Sequence, residues 1–277
     1  MILARLRRFW RDRLRPHLHW LCARPGTHVL ERWEGAARLG PAVAIFAHFD
    51  PRGEISDETI SYLRALADSG FSVVLVSNSE QLTDSARLAA MSLCAAILVR
   101  RNLGLDFAAW HDALRALDLP RVETEMLLLA NDSLHGPFWP LGPLLARVDF
   151  TRADIWGLTE NAEVAPHLQS YFLLAGPVAL RSPSWAAFWR GVRPLRDKFA
   201  LIRLFEIGFS TTMRRAGLRL APLFPTPMDG RNPTLARWRG LLEAGFPFVK
   251  RELVRTNPLR DPMVSQWREI VEEIRRR

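Results

Sequence analysis

Four apolar runs, residues 43–49, 71–76, 95–99 and 125–130, recur with about 20 residues between each and the next. Every run stops on polar side chains. Asp50 follows the first and Ser77-Asn78-Ser79-Glu80 the second; Arg100-Arg101 follows the third and Asn131-Asp132-Ser133 the fourth. Short, continuously apolar runs of this kind read as strands covered on both faces. The stretches between them read as helices. Ser56 suits an N-cap, with Asp57 and Glu58 in the first turn, a helix over 57–69 and Gly70 as its stop. Further helices are expected over 84–92 and 107–117. Successive strand–helix units with short connections fold into a parallel sheet with right-handed crossovers. That topology brings all four polar clusters to one sheet edge, where ligands bind in open α/β folds. The expectation is an α/β fold: a Rossmann-type sandwich with a mostly parallel central sheet, a helical N-terminal segment and a helical C-terminal tail. No Gly-x-Gly-x-x-Gly turn follows the first run, which disfavours a nicotinamide or flavin dehydrogenase.

Downstream, 141–148 reads as helix, 154–158 and 170–180 as strands, and 184–191 as helix. A long helix over 199–216, closed by Gly217, leads to a last strand at 218–223. Residues 232–277 read as a helical tail, with Trp238, Leu241 and Leu242 on one face and Trp267, Ile270, Val271 and Ile274 on another. The expected division is a basic segment over 1–40, a main domain over 41–228 and an extension over 229–277 packed on it. With 277 residues, 48% of them hydrophobic, the chain can bury a full core. Cys22 and Cys94 supply no disulfide framework, and Cys94 reads as a buried thiol, pointing to a reducing, cytoplasmic setting.

The net charge of +9 is concentrated at the start, because residues 1–24 carry seven arginines against one acid, Asp12. Leu3, Leu6, Trp10, Leu14, Leu18 and Leu21 recur there at three- and four-residue steps. Such a stripe suits a helix lying on an anionic membrane surface, or equally one packed on the domain; Pro16 would end or kink it. Arginines interrupt any apolar core, so neither a signal peptide nor a membrane span is expected. No nucleic-acid reader motif accompanies the charge.

Three stretches stand out together: Arg101-Asn102-Leu103-Gly104-Leu105-Asp106-Phe107, Asn131-Asp132-Ser133-Leu134-His135-Gly136-Pro137-Phe138, and Asn232-Pro233-Thr234 followed by Trp238 and Pro247-Phe248-Val249-Lys250. In this order they resemble the rhamnan synthesis protein F family of bacterial surface-polysaccharide assembly. The resemblance covers roughly residues 42–258. It implies a GT-A-like glycosyltransferase fold and transfer of a sugar such as rhamnose, from dTDP-rhamnose, to a glycan or lipid-linked glycan. A broader similarity runs over Phe205-Glu206-Ile207 to Arg215-Ala216-Gly217, which looks like the helix of inverting GT-A enzymes that carries the general base. Glu206-Ile207 stands where two acids are usual, and Asn131-Asp132-Ser133 replaces Asp-x-Asp, which weakens metal binding.

The chemistry implied assigns residues as follows. Asp132, helped by Asn131 or Ser133, would hold Mg²⁺ or Mn²⁺ against the donor diphosphate; the plain alternative is a turn or helix cap. Arg100 and Arg101 would share that task as fixed cations, or be ordinary solvated charge. Glu206, a partly desolvated carboxylate, would be the base. Asp106, after Asn102 and a Gly104 suited to positive φ, would contact sugar or nucleotide, or cap the next helix. Asp50, Ser77 and Asn78 end strands where a base or ribose would rest, or form turns. His167, with Gln169, reads as an acceptor contact or a structural residue. The competing class is a non-catalytic glycan-assembly subunit that keeps the fold without the chemistry.

Overall fold

Strands form where buried aliphatic residues are densest, and the computed structural model describes residues 15–23 and 26–277. They are β1 (Val29–Glu34), β2 (Ala42–His48), β3 (Ser72–Ser77), β4 (Cys94–Arg100), β5 (Met126–Asn131) and β6 (Leu134–His135). The rest are β7 (Ile155–Gly157), β8 (Glu160–Asn161), β9 (His167–Leu168), β10 (Phe172–Ala175), β11 (Leu220–Pro222) and β12 (Val249–Lys250). Among the described residues, eight strands make one mixed, mostly parallel sheet in the order β1-β4-β3-β2-β5-β10-β7-β11. Only β1 and β10 run against the others. The four runs that opened the sequence are its centre, as expected of an α/β fold.

Strand alternation divides the core. Val43, Ile45 and Ala47 of β2 join Trp110, Trp185, Phe205 and Phe209 on one side. Ala44 and Phe46 join Tyr62, Leu63, Leu66 and Phe248 on the other. This is the period of two expected of a strand buried on both faces. The helices over it are α1 (Arg15–Cys22), α2 (Asp57–Asp68), α3 (Asp84–Met91), α4 (Leu105–Ala116), α5 (Pro183–Gly191), α6 (Ile207–Arg215) and α7 (Trp267–Arg276), with shorter turns between. Ser56 caps α2 by accepting the Thr59 N–H, as its position predicts. Cys94 is fully buried, and burial pushes its thiol up to about 12, so it is inert at neutral pH.

Several expectations are corrected. Residues 170–180 are not one strand: β10 stops at Ala175 and Pro177–Leu180 is a helical turn, because Pro177 is well placed at a helix start and poorly placed in a strand. The long helix expected over 199–216 is present, running unbroken from Lys198 to Arg215, but it contains an inserted π-helical turn at Ile202–Glu206 before α6. The tail is not wholly helical, because β12 pairs with β6, Val249 opposite His135. Trp238, Leu242, Val249, Trp267 and Val271 form a third cluster there. Within the segment 1–40, residues 29–34 are β1, an edge strand whose Glu31, Arg32 and Glu34 blunt further pairing.

Leu3, Leu6, Trp10 and Leu14 lie outside the described residues. Pro16 sits at the start of the described part of α1, which continues to Cys22; whether it ends or kinks a helix before it falls outside the described residues. Trp20 anchors this helix by donating to the Gly191 carbonyl at 2.7 Å, while Leu18 and Leu21 are 51% and 69% exposed. Among the described residues, no helix is long and apolar enough to cross a membrane.

Candidate functional site

The carboxyl ends of β2, β3, β4 and β5 lie along one edge, Ala47 opposite Asn131 and His48 opposite Ser77. The antiparallel pairing of β10 with β5, Phe172 opposite Ala130, brings Ser170 to the same edge. Ser170 in turn fixes Glu206. The glutamate Oε1 accepts the Ser170 hydroxyl at 3.1 Å and its N–H at 3.4 Å, and His167 Nε2 stands 3.9 Å away. Glu206 closes the π-helical turn just before α6, a local irregularity of the kind that often re-aims functional side chains.

Asp106 reaches this edge from the start of α4. Gly104 caps that helix with φ +78°, and a Cβ there would lie 2.6 Å from both Ala108 Cβ and Pro194 Cα, so glycine is required. Asp106 is therefore not the cap. Its Oδ2 instead accepts the Asn131 amide N–H at 2.7 Å. Lost hydration, then the neighbouring Asp132 charge, push the Asp106 carboxyl up to about 7, with Glu206 acting in the same direction and Lys250 against it. Asp132 is also raised, chiefly by burial, although its Oδ2 accepts the Phe49 N–H at 3.0 Å and His48 and Arg251 oppose the rise.

The raised Asp106 group has a testable consequence for stability. Between an unfolded value near 4 and a folded value of about 7, the native chain holds a proton the unfolded chain has released. Its contribution therefore falls as pH rises through that window. Asp106→Asn keeps an oxygen for Asn131 and removes the charge. We expect its melting temperature to exceed the wild type's by a few degrees at pH 8 and to match it near pH 4, measured by thermal unfolding across pH. Equal melting curves at pH 8 would sink this assignment.

Other assigned residues are occupied differently. Arg100 is fully buried and corrects the expectation of a phosphate-facing cation: it donates to Asp112 at 2.8 Å, to Asn78 at 2.5 Å and to the Leu103 carbonyl at 2.9 Å. It thereby fixes the loop leading to Asp106. Asn78 belongs to that network, and Ser77, also buried, bonds His48 Nδ1 at 3.1 Å and Ser79 at 2.8 Å. Arg101 and Asn102 are exposed, the latter donating its N–H to Glu80. Asp50 accepts the Arg52 and Glu54 N–H groups and shapes a turn. Ser133 donates its N–H and hydroxyl to Asn131 Oδ1, at 3.1 and 2.6 Å. His167 Nδ1 meets the Ala165 carbonyl at 2.7 Å. Gln169 is buried, its amide engaged by Thr159 and Asn232, which leaves it poorly placed to meet an acceptor.

These contacts bear on the expected Mg²⁺ or Mn²⁺. The Asn131 oxygen already takes two donors, and one Asp132 oxygen is bonded to Phe49. Among the described residues, no three His, Cys, Asp or Glu side chains converge as a metal set. With the Asn131 oxygen taken and one oxygen each of Asp106 and Asp132 already bonded, the set fits a hard divalent cation poorly.

Three residues beyond the assigned set complete the edge. His48 ends β2, and burial holds its imidazole below the usual value against the pull of Asp132 and Asp50. Lys250 and Arg251 arrive from β12 and the turn after it. Arg251 is tied to Glu58 at 2.8 Å and to the Leu134 carbonyl at 3.2 Å. Lys250 Nζ lies 5.5 Å from the Tyr171 ring centroid, and among the described residues it has no carboxylate at ion-pair distance. It was visible beforehand only as the last residue of Pro247-Phe248-Val249-Lys250.

Residues 73–275 match the family model described as rhamnan synthesis protein F. The match begins at residue 73, later than the 42 expected and after β2 and α2, and runs past residue 258 to take in all of α7 but Arg276. An uncharacterized protein of Sinorhizobium fredii, y4gN, is 30% identical over 196 residues, 69% of this chain and 50% of its own length. The virulence protein VirA of Vibrio anguillarum is 28% identical over 239 residues, 73% of this chain and 74% of its own. The chain thus spans half of the first relative and about three quarters of the second. Among solved structures, a glycosyltransferase involved in glycosylating the PBCV-1 major capsid overlays with TM-score 0.40 and 13% identity, over 85% of this chain and 100% of that one. A cytidylyltransferase of Leptospira borgpetersenii gives 0.37 and 11%, over 69% and 78%. Overlays this loose leave the fold to rest on the sheet order itself.

Proposed function

This chain belongs to the rhamnan synthesis protein F family, and we propose that it is a glycosyltransferase, moving a sugar such as rhamnose from a nucleotide donor to a growing glycan. One observation carries this reading: Asp106, which accepts the Asn131 amide N–H at one sheet edge, lies close enough to Asp132, Glu206 and Lys250, from separate segments, to feel the charge of each. In the proposed reaction Glu206 takes the proton of the acceptor hydroxyl as its oxygen bonds the anomeric carbon. The bond from that carbon to the diphosphate oxygen breaks on the opposite face, inverting the configuration. Lys250, with Arg101 nearby in sequence to the same edge, receives the charge of the departing diphosphate, so no step is assigned to a metal. Asp106, partly protonated at neutral pH, bonds a sugar hydroxyl. Phe49, 47% exposed beside Asp50, offers an aromatic face to the donor. The arginines of residues 1–24 and the exposed Leu18 and Leu21 favour residence on the anionic inner face of the cell membrane.

The test is a thermal-shift screen of nucleoside diphosphate sugars, dTDP-rhamnose included, followed by an assay of transfer. A true donor at about a hundred times its Kd should raise the melting temperature by roughly 5 °C. The amide at position 131 favours one rival, a non-catalytic subunit, which predicts no turnover with any stabilising donor. If no nucleotide sugar shifts the transition, the transferase reading fails.

A further inference from the structure

A second site lies away from this edge. A cavity of about 700 Å³ opens between the C-terminal end of α4 and α5. Its apolar wall is Leu114, Leu119, Leu180, Trp185 and Trp189, and Arg115, Arg190 and Arg193 stand around it. Trp185 and Trp189 are 2% and 6% exposed, and both indole N–H groups are buried without an acceptor. Among the described residues Arg115 and Arg190 have no ion-pair partner, and the Arg193 guanidinium lies 5.2 Å from the Trp20 ring centroid. The only acid on the described wall is Asp118.

An apolar chamber rimmed by unpaired guanidinium groups is complementary to a molecule with a hydrocarbon chain and an anionic head. We propose that this cavity binds a lipid carrying a phosphate headgroup. Its chain lies against the leucines and the two indole rings, and its phosphate meets Arg115 and Arg190. The described end of the arginine-rich segment adjoins the same place. Trp20 of α1 bonds Gly191 at the end of α5, and Gly26 lines the cavity. From Asp106 to Leu114, α4 advances roughly 12 Å, so the cavity stands apart from the sheet edge and its occupancy does not depend on transfer chemistry.

The experiment is titration of the full chain with dodecyl phosphate below its micelle-forming concentration, by calorimetry and tryptophan emission. Dodecyl maltoside and inorganic phosphate are the comparison ligands. We expect saturable binding of one dodecyl phosphate, with both comparison ligands at least about tenfold weaker. The double substitution Arg115→Gln and Arg190→Gln should weaken it by about tenfold or more, as expected for lost charge-assisted contacts. Both arginines are exposed and, among the described residues, without an ion-pair partner, so this variant should keep its fold. Ala186→Trp, at an exposed wall position, should fill the cavity and abolish binding. Unchanged affinity in the arginine variant overturns the proposal. So does inorganic phosphate binding as tightly, which would mark a plain anion site, or the maltoside doing so, which would mark an apolar crevice with no headgroup recognition.

Discussion

Replacing Glu206 by glutamine is expected to lower kcat by about 10²–10⁴-fold, the range for loss of a general base, with donor affinity unchanged. The local structure makes this substitution clean. Ser170 donates both its hydroxyl and its N–H to Glu206 Oε1, and glutamine retains an oxygen to receive them. The π-helical turn that presents position 206 is therefore undisturbed. What disappears is the capacity to take a proton from an incoming hydroxyl. Donor-induced thermal stabilisation in the variant should equal that of the wild type. A matching loss of donor binding would instead make Glu206 a donor ligand or a structural acid, and full turnover would remove it from the chemistry.

The sheet centre was legible because its strands are continuous apolar runs whose local pattern already matches their buried state. β2 to β5 and the helices between them required no distant information. β6, β8, β9 and β12 are two-residue pairings, and Val249 meets His135 across more than a hundred residues of chain. No local pattern announces such contacts. The same division runs through the site. Asn131, Asp132 and Asp106 could be found because strand ends and the loop before a helix converge by topology. Lys250 and Arg251 could not, because they reach the edge only through the β12–β6 pairing. Arg100 was misjudged for a related reason: a sequence shows a cation but not its partner, and Asp112 and Asn78 neutralise and hold it only once the fold brings them together. The long helix was legible but its π turn at Ile202–Glu206 was not, because an apolar periodicity of 3.6 cannot be distinguished from one with an inserted π turn.

Lys250→Met should reduce kcat/KM by about 10²–10³-fold, the scale of removing one preorganised donor from a developing anion. Wild-type turnover should at the same time survive a chelator. Both expectations follow from one imbalance at the sheet edge. Asp106, Asp132 and Glu206 gather negative charge there, yet the side chains that would hold a divalent ion are already bonded among themselves. A half-buried ammonium stands at the edge over Tyr171, and among the described residues it has no ion-pair partner. Methionine keeps the length and apolar stem, so Val249 still pairs with β6 and the fold persists. Loss of its cation should also push Asp106 further up, because Lys250 now favours its ionised form. The variant's pH–rate profile should therefore move toward alkaline pH on the limb that Asp106 governs. If the chelator abolishes wild-type transfer while Lys250→Met retains it, the diphosphate is met by a metal at Asp132 and the lysine has no part in the reaction.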